Sequence, residues 1–114
     1  MGEQIVHVVL FRWAPTAPDD VVARLDSLVG AMRDAVAGVV EASHGPSVSV
    51  EGLERGYDHA LYVRFADVAA RDGYLPHPAH LPVAELITAH ARDVLVFDLE
   101  IPAPVNLPGP LAHQ

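Results

Sequence analysis

Residues 5–13 form a predicted β-strand that carries apolar side chains on both of its faces. The segment, IVHVVLFRW, is mostly β-branched or aromatic and contains neither glycine nor proline, which is typical of a buried strand. Because side chains alternate along a strand, each face receives its own set of these residues. The two sets are His7, Val9 and Phe11 on one face, and Val6, Val8 and Leu10 on the other. A sheet built on this strand therefore has to be covered on both faces.

The remaining sequence predicts helices and strands in the order β-α-β-β-α-β. Apolar residues at helical spacing predict a first helix over residues 21–35. Patchy alternation over residues 39–50 predicts a second strand that bends at Gly45-Pro46 and continues beyond it. The later predicted elements are a strand at His59–Phe65, a short helix capped by Asp67, a helix over residues 83–90 and a strand over residues 94–101. This order predicts a ferredoxin-like α+β fold, an antiparallel sheet with helices on one face.

The second face of the predicted sheet has no helix left to cover it. That face carries Val6, Val8, Leu10 and Tyr62. Packing the uncovered faces of two copies together would bury these side chains and close a barrel, and twofold pairing is the commonest way to form such an interface. The sequence therefore predicts a homodimer in the form of a dimeric α/β barrel.

Composition excludes several classes of function. Fifteen acidic residues against seven basic ones, all arginine, give a formal net charge of −8, so we expect no nucleic-acid partner. Cysteine is absent, which excludes disulfides, thiolate catalysis and Cys-ligated metal centres. No apolar run approaches the ~20 residues of a membrane-spanning helix, so we expect no membrane partner and a cytoplasmic location. We predict one domain over residues 1–101 and a proline-rich tail over residues 102–114.

Three stretches of the sequence resemble the stress-responsive A/B barrel (Dabb) family. They are HVVLFRW near the start, GYDHALYVRFADVAARDGYLPHPAHLPV in the middle and VLVFDLE near the end. The most specific part is the tyrosine followed by His-Pro-Ala-His within residues 74–80. The resemblance implies a dimeric α+β barrel. It implies no single activity, because the family includes plant stress-induced proteins and a polyketide cyclase that closes a ring by aldol condensation without a cofactor.

Five acid–base side chains are predicted to meet at one pocket. Strand alternation places His7 and His59 on the helix-facing side of the sheet, while Tyr74, His77 and His80 belong to the segment at the expected pocket mouth. The predicted apolar lining is Phe11, Leu25, Leu28 and Val63. A histidine with a pKa near ~6.5 can take a proton from the carbon beside a carbonyl, and a phenol can hydrogen-bond the resulting oxyanion.

The resemblance to the family's polyketide cyclase implies a role for each of these residues. By motif position, Tyr74 and His80 correspond to its catalytic tyrosine and histidine, whereas His7, His59 and His77 correspond to pocket positions. The resemblance thus implies that His80 is the base, that Tyr74 contacts the oxyanion, and that His7 and His59 orient them. The first helix differs, since Leu-Asp-Ser-Leu stands where the cyclase has an aromatic-rich stretch. The shape of the substrate therefore does not carry over.

The leading interpretation is a cofactor-independent cyclase, or a related lyase or isomerase, acting on a small β-keto or aromatic polyketide-like substrate. Two alternatives stay open. Related dimeric α+β barrels oxidise electron-rich aromatic compounds with molecular oxygen, which would make this chain a cofactor-free monooxygenase. Alternatively, the chain is a non-catalytic stress-responsive binding or assembly protein in which the histidines are structural.

The other polar residues are assigned no chemistry from the sequence. Several converging histidines could hold a metal ion, but the spacing within His-Pro-Ala-His matches no ligand motif and no carboxylate is expected nearby, so we predict no metal site. We expect His44, His90 and His113 on the surface or on a helix, outside any cluster. Asp98 and Glu100 on the last strand are expected to face solvent, where charge limits edge-to-edge pairing of sheets.

Overall fold

The computed structural model describes residues 3–103, which form one four-stranded antiparallel sheet and three helices. In chain order the elements are β1 (Glu3–Trp13), α1 (Val21–Ala35), β2 (Val39–Pro46), β3 (His59–Phe65), α2 (Val68–Tyr74), α3 (Leu81–His90) and β4 (Ala91–Pro102). The strand order across the sheet is β2-β3-β1-β4, the ferredoxin-like arrangement that the sequence predicts. Residues 104–114 of the predicted tail lie outside the described residues.

β1 is one of the two central strands of the sheet. β1 pairs with β3 on one side and with β4 on the other, so that Val9 lies opposite both Leu61 and Val96. The predicted division of faces is confirmed. Ile5, His7, Val9 and Phe11 are buried against the helices, whereas Val6, Val8 and Leu10 are half-buried on the opposite face.

All three helices pack on the same face of the sheet and enclose the core. α1 contributes the apolar stripe of Val21, Leu25, Val29 and Met32, as the helical spacing predicts. The short α2 begins where expected, because the side chain of Asp67 accepts a hydrogen bond from the backbone N–H of Ala70. The largest fully buried side chains of the core are Tyr74, Phe11, Phe65, Leu25, Met32, Leu61, Val63 and Val83.

The predicted continuation of β2 beyond Gly45-Pro46 is wrong. β2 ends at Pro46, and residues 47–58 form the connection to β3. Proline has no N–H to donate to a strand ladder, which favours termination there. Gly52, Arg55 and Gly56 have positive φ angles, so the chain turns back instead of extending.

No helix within residues 3–103 covers the second face of the sheet, in agreement with the sequence. β4 adds Leu95, Phe97 and Leu99 to this face, and all three are exposed, with Phe97 at 61 % of its surface. We call the residues Val6, Val8, Leu10, Tyr62, Leu95, Phe97 and Leu99 the uncovered face. None of the helices in this part of the chain is long and apolar enough to cross a membrane.

Candidate functional site

A cavity of about 240 Å³ lies between α3 and the sheet. Its polar wall groups are His7, Tyr74, His80 and Thr88, and the rest of the wall is mainly aliphatic, from β1, β3, α3 and β4. The aliphatic side chains are Val9, Leu61, Leu75, Val83, Ala84, Ile87, Val94 and Val96. An apolar cavity with a few convergent polar groups is the usual form of a small-molecule site. We call this space the α3 cavity.

Tyr74 brings a buried phenol to the α3 cavity. It is the last residue of α2, and its side chain is fully buried against Phe65, whose ring centroid is 4.9 Å away. Its hydroxyl has no hydrogen-bond partner among the residues that the structure describes. Burial raises the pKa of the Tyr74 phenol well above its ordinary value of 10.0. The hydroxyl therefore keeps its proton at neutral pH and is a buried donor without a partner in this part of the chain.

His80 lies directly against Tyr74 at the start of α3. The two ring centroids are 4.1 Å apart. Nδ1 of His80 donates a 2.8 Å hydrogen bond to the backbone carbonyl of Leu75, so Nδ1 carries the proton and Nε2 keeps its lone pair. Burial lowers the pKa of His80, the nearby His7 side chain lowers it further, and the bond to Leu75 opposes both. A neutral imidazole with a basic Nε2 results.

His7 is held in place by a charged partner on the neighbouring strand. The register places His7 opposite Asp98, and His7 Nδ1 donates a 2.6 Å hydrogen bond to Asp98 Oδ1. The other carboxylate oxygen accepts a 2.7 Å bond from Arg71 of α2. Partial burial alone would raise the pKa of Asp98, but the bonds from His7 and Arg71 outweigh it and hold this pKa below its ordinary value. The His7 ring meets Tyr74 edge-on, with centroids 5.7 Å apart.

Asp98 is exposed, as expected. The expectation that no carboxylate lies near the histidines is wrong, because the carboxylate of Asp98 binds His7. The sequence contains a signal that would have found this pair. In the ferredoxin-like order β1 and β4 are antiparallel neighbours, and both His7 and Asp98 belong to the helix-facing set of their strands. Glu100, two residues further on, is exposed as expected.

The structure brings His7, Tyr74 and His80 together and places His59 and His77 elsewhere. His59 starts β3 at the other end of the sheet, where its Nε2 is 3.1 Å from Nδ1 of His44. The ring of His77 points into its own turn, because its Nδ1 accepts a 3.0 Å hydrogen bond from the backbone N–H of Ala79. Neither ring lines the α3 cavity.

The predicted apolar lining of the pocket also needs correction. Phe11, Leu25 and Val63 are fully buried in the core, and Leu28 packs against that core half-buried. None of the four lines the α3 cavity. These side chains fill the layer between the sheet and the helices, whereas the cavity lies beside that layer, between α3 and strands β1, β3 and β4.

His44 is the histidine that the sequence interpretation missed. Instead of lying outside any cluster, its ring hydrogen-bonds His59 and, at 3.0 Å, the carboxylate of Asp26. His90 is half-buried at the end of α3, and His113 lies outside the described residues. Within residues 3–103, no group of three or more His, Cys, Asp or Glu side chains is arranged to hold a metal ion.

Comparison with known proteins yields a family match over most of the chain. The model of the stress-responsive A/B barrel domain matches residues 5–101. A stress-response A/B barrel domain-containing protein, HS1 of Arabidopsis thaliana, is 36 % identical over 63 residues, which cover 55 % of this chain and 57 % of that protein. Olivetolic acid cyclase of Cannabis sativa is 32 % identical over 54 residues, which cover 47 % of this chain and 54 % of the cyclase. Each match thus spans little more than half of the relative.

The fold is shared with solved structures over nearly their whole length. A dimeric ferredoxin-like protein of unknown function from Jannaschia sp. CCS1 superposes with a TM-score of 0.78 at 25 % identity. The superposition covers 86 % of this chain and 99 % of that protein. The predicted ferredoxin-like α+β fold is confirmed by this similarity and by the strand order.

Proposed function

The chain belongs to the stress-responsive A/B barrel domain family, and we propose that it is a cofactor-independent cyclase, or a related lyase or isomerase. In this proposal His80 is the base and Tyr74 the hydrogen-bond donor to the substrate oxygen. One observation carries the proposal. A neutral histidine with a free Nε2 lies against a buried phenol that has no partner within residues 3–103, and both line an apolar cavity.

The proposed reaction begins with proton transfer from carbon. The substrate carbonyl accepts a hydrogen bond from the Tyr74 hydroxyl, and His80 Nε2 removes a proton from the adjacent carbon. The electron pair of the C–H bond forms an enolate, whose negative oxygen the phenol stabilises. In a cyclase, the enolate carbon attacks a second carbonyl of the same molecule and forms a carbon–carbon bond. The new alkoxide takes the proton from the His80 imidazolium, which restores the base, and a lyase would run these steps in reverse.

His7 acts as a positioning residue in this scheme. The carboxylate of Asp98 fixes the Nδ1–H tautomer of His7, and the second bond from Arg71 fixes the carboxylate. The edge of the His7 ring in turn confines the Tyr74 ring. A phenol held in this way is organised before substrate binds, which is the condition for effective stabilisation of an oxyanion.

The α3 cavity favours a small, apolar substrate. Its volume of about 240 Å³ lies below the ~300–1,000 Å³ of sites for drug-sized ligands. Its wall carries mainly valine, leucine, isoleucine and alanine side chains beside the four polar groups. We therefore propose a substrate with one ring or a short chain, either a hydrophobic β-keto compound or an aromatic ketone. The matched segment of olivetolic acid cyclase supports the cyclase form of the proposal.

We further propose that the protein is a homodimer joined through the uncovered face. Leu95, Phe97 and Leu99 are exposed there in the single chain, which favours a partner surface of the same kind. The Jannaschia protein with the same fold is described as dimeric. Two sheets packed through these faces would form the α/β barrel.

Deuterium exchange tests the chemical step without knowledge of the natural substrate. Acetophenone is incubated in D₂O with the full chain, and loss of its methyl protons is followed by NMR. We expect the wild-type protein to accelerate exchange over buffer, and Tyr74→Phe and His80→Gln to lower the rate by roughly 10²-fold or more. Acetophenone should exchange at the wild-type rate with Tyr62→Phe, because Tyr62 lies on the opposite side of the sheet.

Binding provides a second readout that does not depend on turnover. Addition of 2,4-dihydroxyacetophenone should shift the backbone resonances of Val83 and Val94, which line the cavity. The proposal fails if this compound leaves both resonances unchanged and acetophenone exchanges no faster than in buffer. That result would favour the non-catalytic role.

A further inference from the structure

A second chain of hydrogen-bonded acid–base groups lies outside the α3 cavity. Asp26 Oδ1 is 3.0 Å from Nε2 of His44, and Nδ1 of His44 is 3.1 Å from Nε2 of His59. The three residues come from α1, β2 and β3, so the tertiary fold assembles the chain. The two imidazole rings are tilted by only 28° with centroids 5.3 Å apart, so the bond joins them edge to edge.

This group is separate from the proposed catalytic residues. The register of β1 and β3 places His59 opposite Phe11 and His7 opposite Val63. His7 and Phe11 are four positions apart on β1, which corresponds to roughly 13 Å along the strand. The two groups therefore occupy opposite ends of the helix-facing side of the sheet.

The hydrogen bonds determine which nitrogen carries each proton. A carboxylate only accepts, so Nε2 of His44 must hold a proton for Asp26. In neutral His44 the other nitrogen, Nδ1, then has a lone pair and must accept from Nε2–H of His59. Neutral His59 is left with an unprotonated, basic Nδ1. The exposed carboxylate thus sets the tautomer of a buried ring through one intermediate.

Exposure to solvent falls sharply along this series of three hydrogen-bonded side chains. The side chain of Asp26 is 81 % exposed and that of His44 only 8 %. His59 is buried and packs against the rings of Phe11 and Trp13 on β1, which carry no charge. The arrangement connects solvent to the interior of the protein through two hydrogen bonds.

We propose that Asp26, His44 and His59 form a second acid–base site, a relay that carries a proton between solvent and the buried His59. A proton that arrives at His59 Nδ1 makes this ring an imidazolium, which passes its Nε2 proton to His44 Nδ1. The positive charge then rests on His44, and His59 is neutral again with its proton on Nδ1. His44 passes its Nε2 proton to the carboxylate of Asp26, which releases it to solvent and leaves His44 neutral with its proton on Nδ1. The ligand of this site is the proton itself.

The geometry limits the relay to one proton at a time. Between the two rings only one hydrogen fits, so a second added proton would set Nδ1–H of His44 against Nε2–H of His59 and break their bond. The surroundings of His59 act on its pKa in both directions, and the lowering prevails. Burial lowers the pKa of His59, the charge of His44 lowers it further, and Asp58 raises it by less. Arg33 of α1 lines the cavity beside His44 and donates to the carbonyl of Ala42.

Nitrogen-15 NMR of the histidine rings tests the relay on the full chain between pH 8.5 and 4.5. At high pH we expect both His44 and His59 as Nε2–H tautomers. On acidification the two rings should take up one proton together, well before a second. Asp26→Asn should lower the pH midpoint of this first uptake by roughly half a unit, the size expected for a solvent-exposed partner. The matched control is Asp34→Asn, an exposed carboxylate on the same helix.

His44→Phe removes the acceptor of the His59 bond and should release His59 into a mixture of both tautomers. Asp26→Asn changes only an exposed side chain, so it keeps the test open if His44→Phe fails to fold. The proposal is overturned if His44 and His59 each gain a full proton independently. It is also overturned if Asp26→Asn leaves the nitrogen shifts of both rings at their wild-type values.

Discussion

The hydrogen bond from His7 Nδ1 to Asp98 Oδ1, 2.6 Å long, joins the first strand of the sheet to the last. Because Arg71 binds the other oxygen of the same carboxylate, the pair also ties the sheet to α2, which ends at Tyr74. One carboxylate therefore links three elements around the α3 cavity. Its removal should affect both the stability of the fold and the position of Tyr74.

Asp98→Asn should lower the free energy of unfolding at pH 7 by about 1 kcal/mol, a charged hydrogen bond discounted for its partial exposure. The pKa of Asp98 is lower in the folded chain than its ordinary value of 3.8. Its stabilisation is thus complete above about pH 4 and is lost as the pH falls through the folded pKa. Urea unfolding at pH 7 and pH 3 should show that the difference in free energy of unfolding between the wild type and Asp98→Asn is smaller at pH 3.

The control for this variant is Asp72→Asn, whose exposed carboxylate meets Arg71 without touching His7. We expect Asp72→Asn to lower the free energy of unfolding at pH 7 by less than Asp98→Asn does. If Asp98→Asn lowers the free energy of unfolding equally at both pH values, packing and not the charged hydrogen bonds stabilises this region.

Tyr74→Phe separates a catalytic from a structural role for the tyrosine. The hydroxyl is buried without a partner in residues 3–103, so its removal should leave the protein as stable as the wild type or about 1 kcal/mol more stable. Exchange of acetophenone should fall at the same time by roughly 10²-fold. Thermal unfolding and exchange measured on the same sample check both effects, with Tyr62→Phe as the control. A destabilised variant with unchanged exchange would contradict the proposal.

The fold could be predicted because local patterns and the global arrangement agree. The alternation in β1 and β3 and the helical spacing in α1 are properties of short segments, and each survives in the structure. The end of β2 was predicted less well. The alternation of polar and apolar residues over 47–50 is typical of a strand. Pro46 and the positive φ angles of Gly52 and Gly56 instead direct the chain into a loop.

The polar contacts were harder to predict than the elements that carry them. Which histidines meet depends on strand register and on which helix covers which end of the sheet. His7 and His59 share a face but lie at opposite ends of it, and strand alternation alone cannot distinguish the ends. Asp98 is 91 positions from its partner His7 in the sequence, and Asp26 is 18 positions from its partner His44. Only the assembled sheet brings these pairs together.

The pH dependence of exchange should follow His80. As the base, His80 must be neutral, and its pKa lies below 6.5, so kcat/KM should rise with pH through a single midpoint below 6.5. The profile should then stay flat to at least pH 10, because the pKa of Tyr74 is raised above its ordinary value of 10.0. The measurement is the rate of acetophenone exchange from pH 4.5 to 10. A decline between pH 7 and 9 would exclude a protonated Tyr74 as the only acid.

Stability should change over the same acidic range. A lowered histidine pKa means that the unfolded chain binds more protons below pH 6.5, so the free energy of unfolding decreases as the pH falls from about 7 through the folded pKa. Burial lowers the pKa of both His80 and His59, and both contribute in this direction. Urea unfolding at pH 7.5 and 5.5 should therefore show a smaller pH effect in His80→Gln than in the wild type. An equal effect in both proteins would contradict this assignment.

Phe97→Asp should prevent dimer formation while the single domain stays folded. Phe97 is 61 % exposed on the uncovered face, so the substitution removes no core contact, and it would place a charge in the proposed interface, where burial without a partner is costly. Light scattering should give the mass of a monomer for this variant and of a dimer for the wild type. Glu100→Gln, on the other face of the same strand, should remain dimeric. A dimeric Phe97→Asp protein would show that the two copies meet through a different surface.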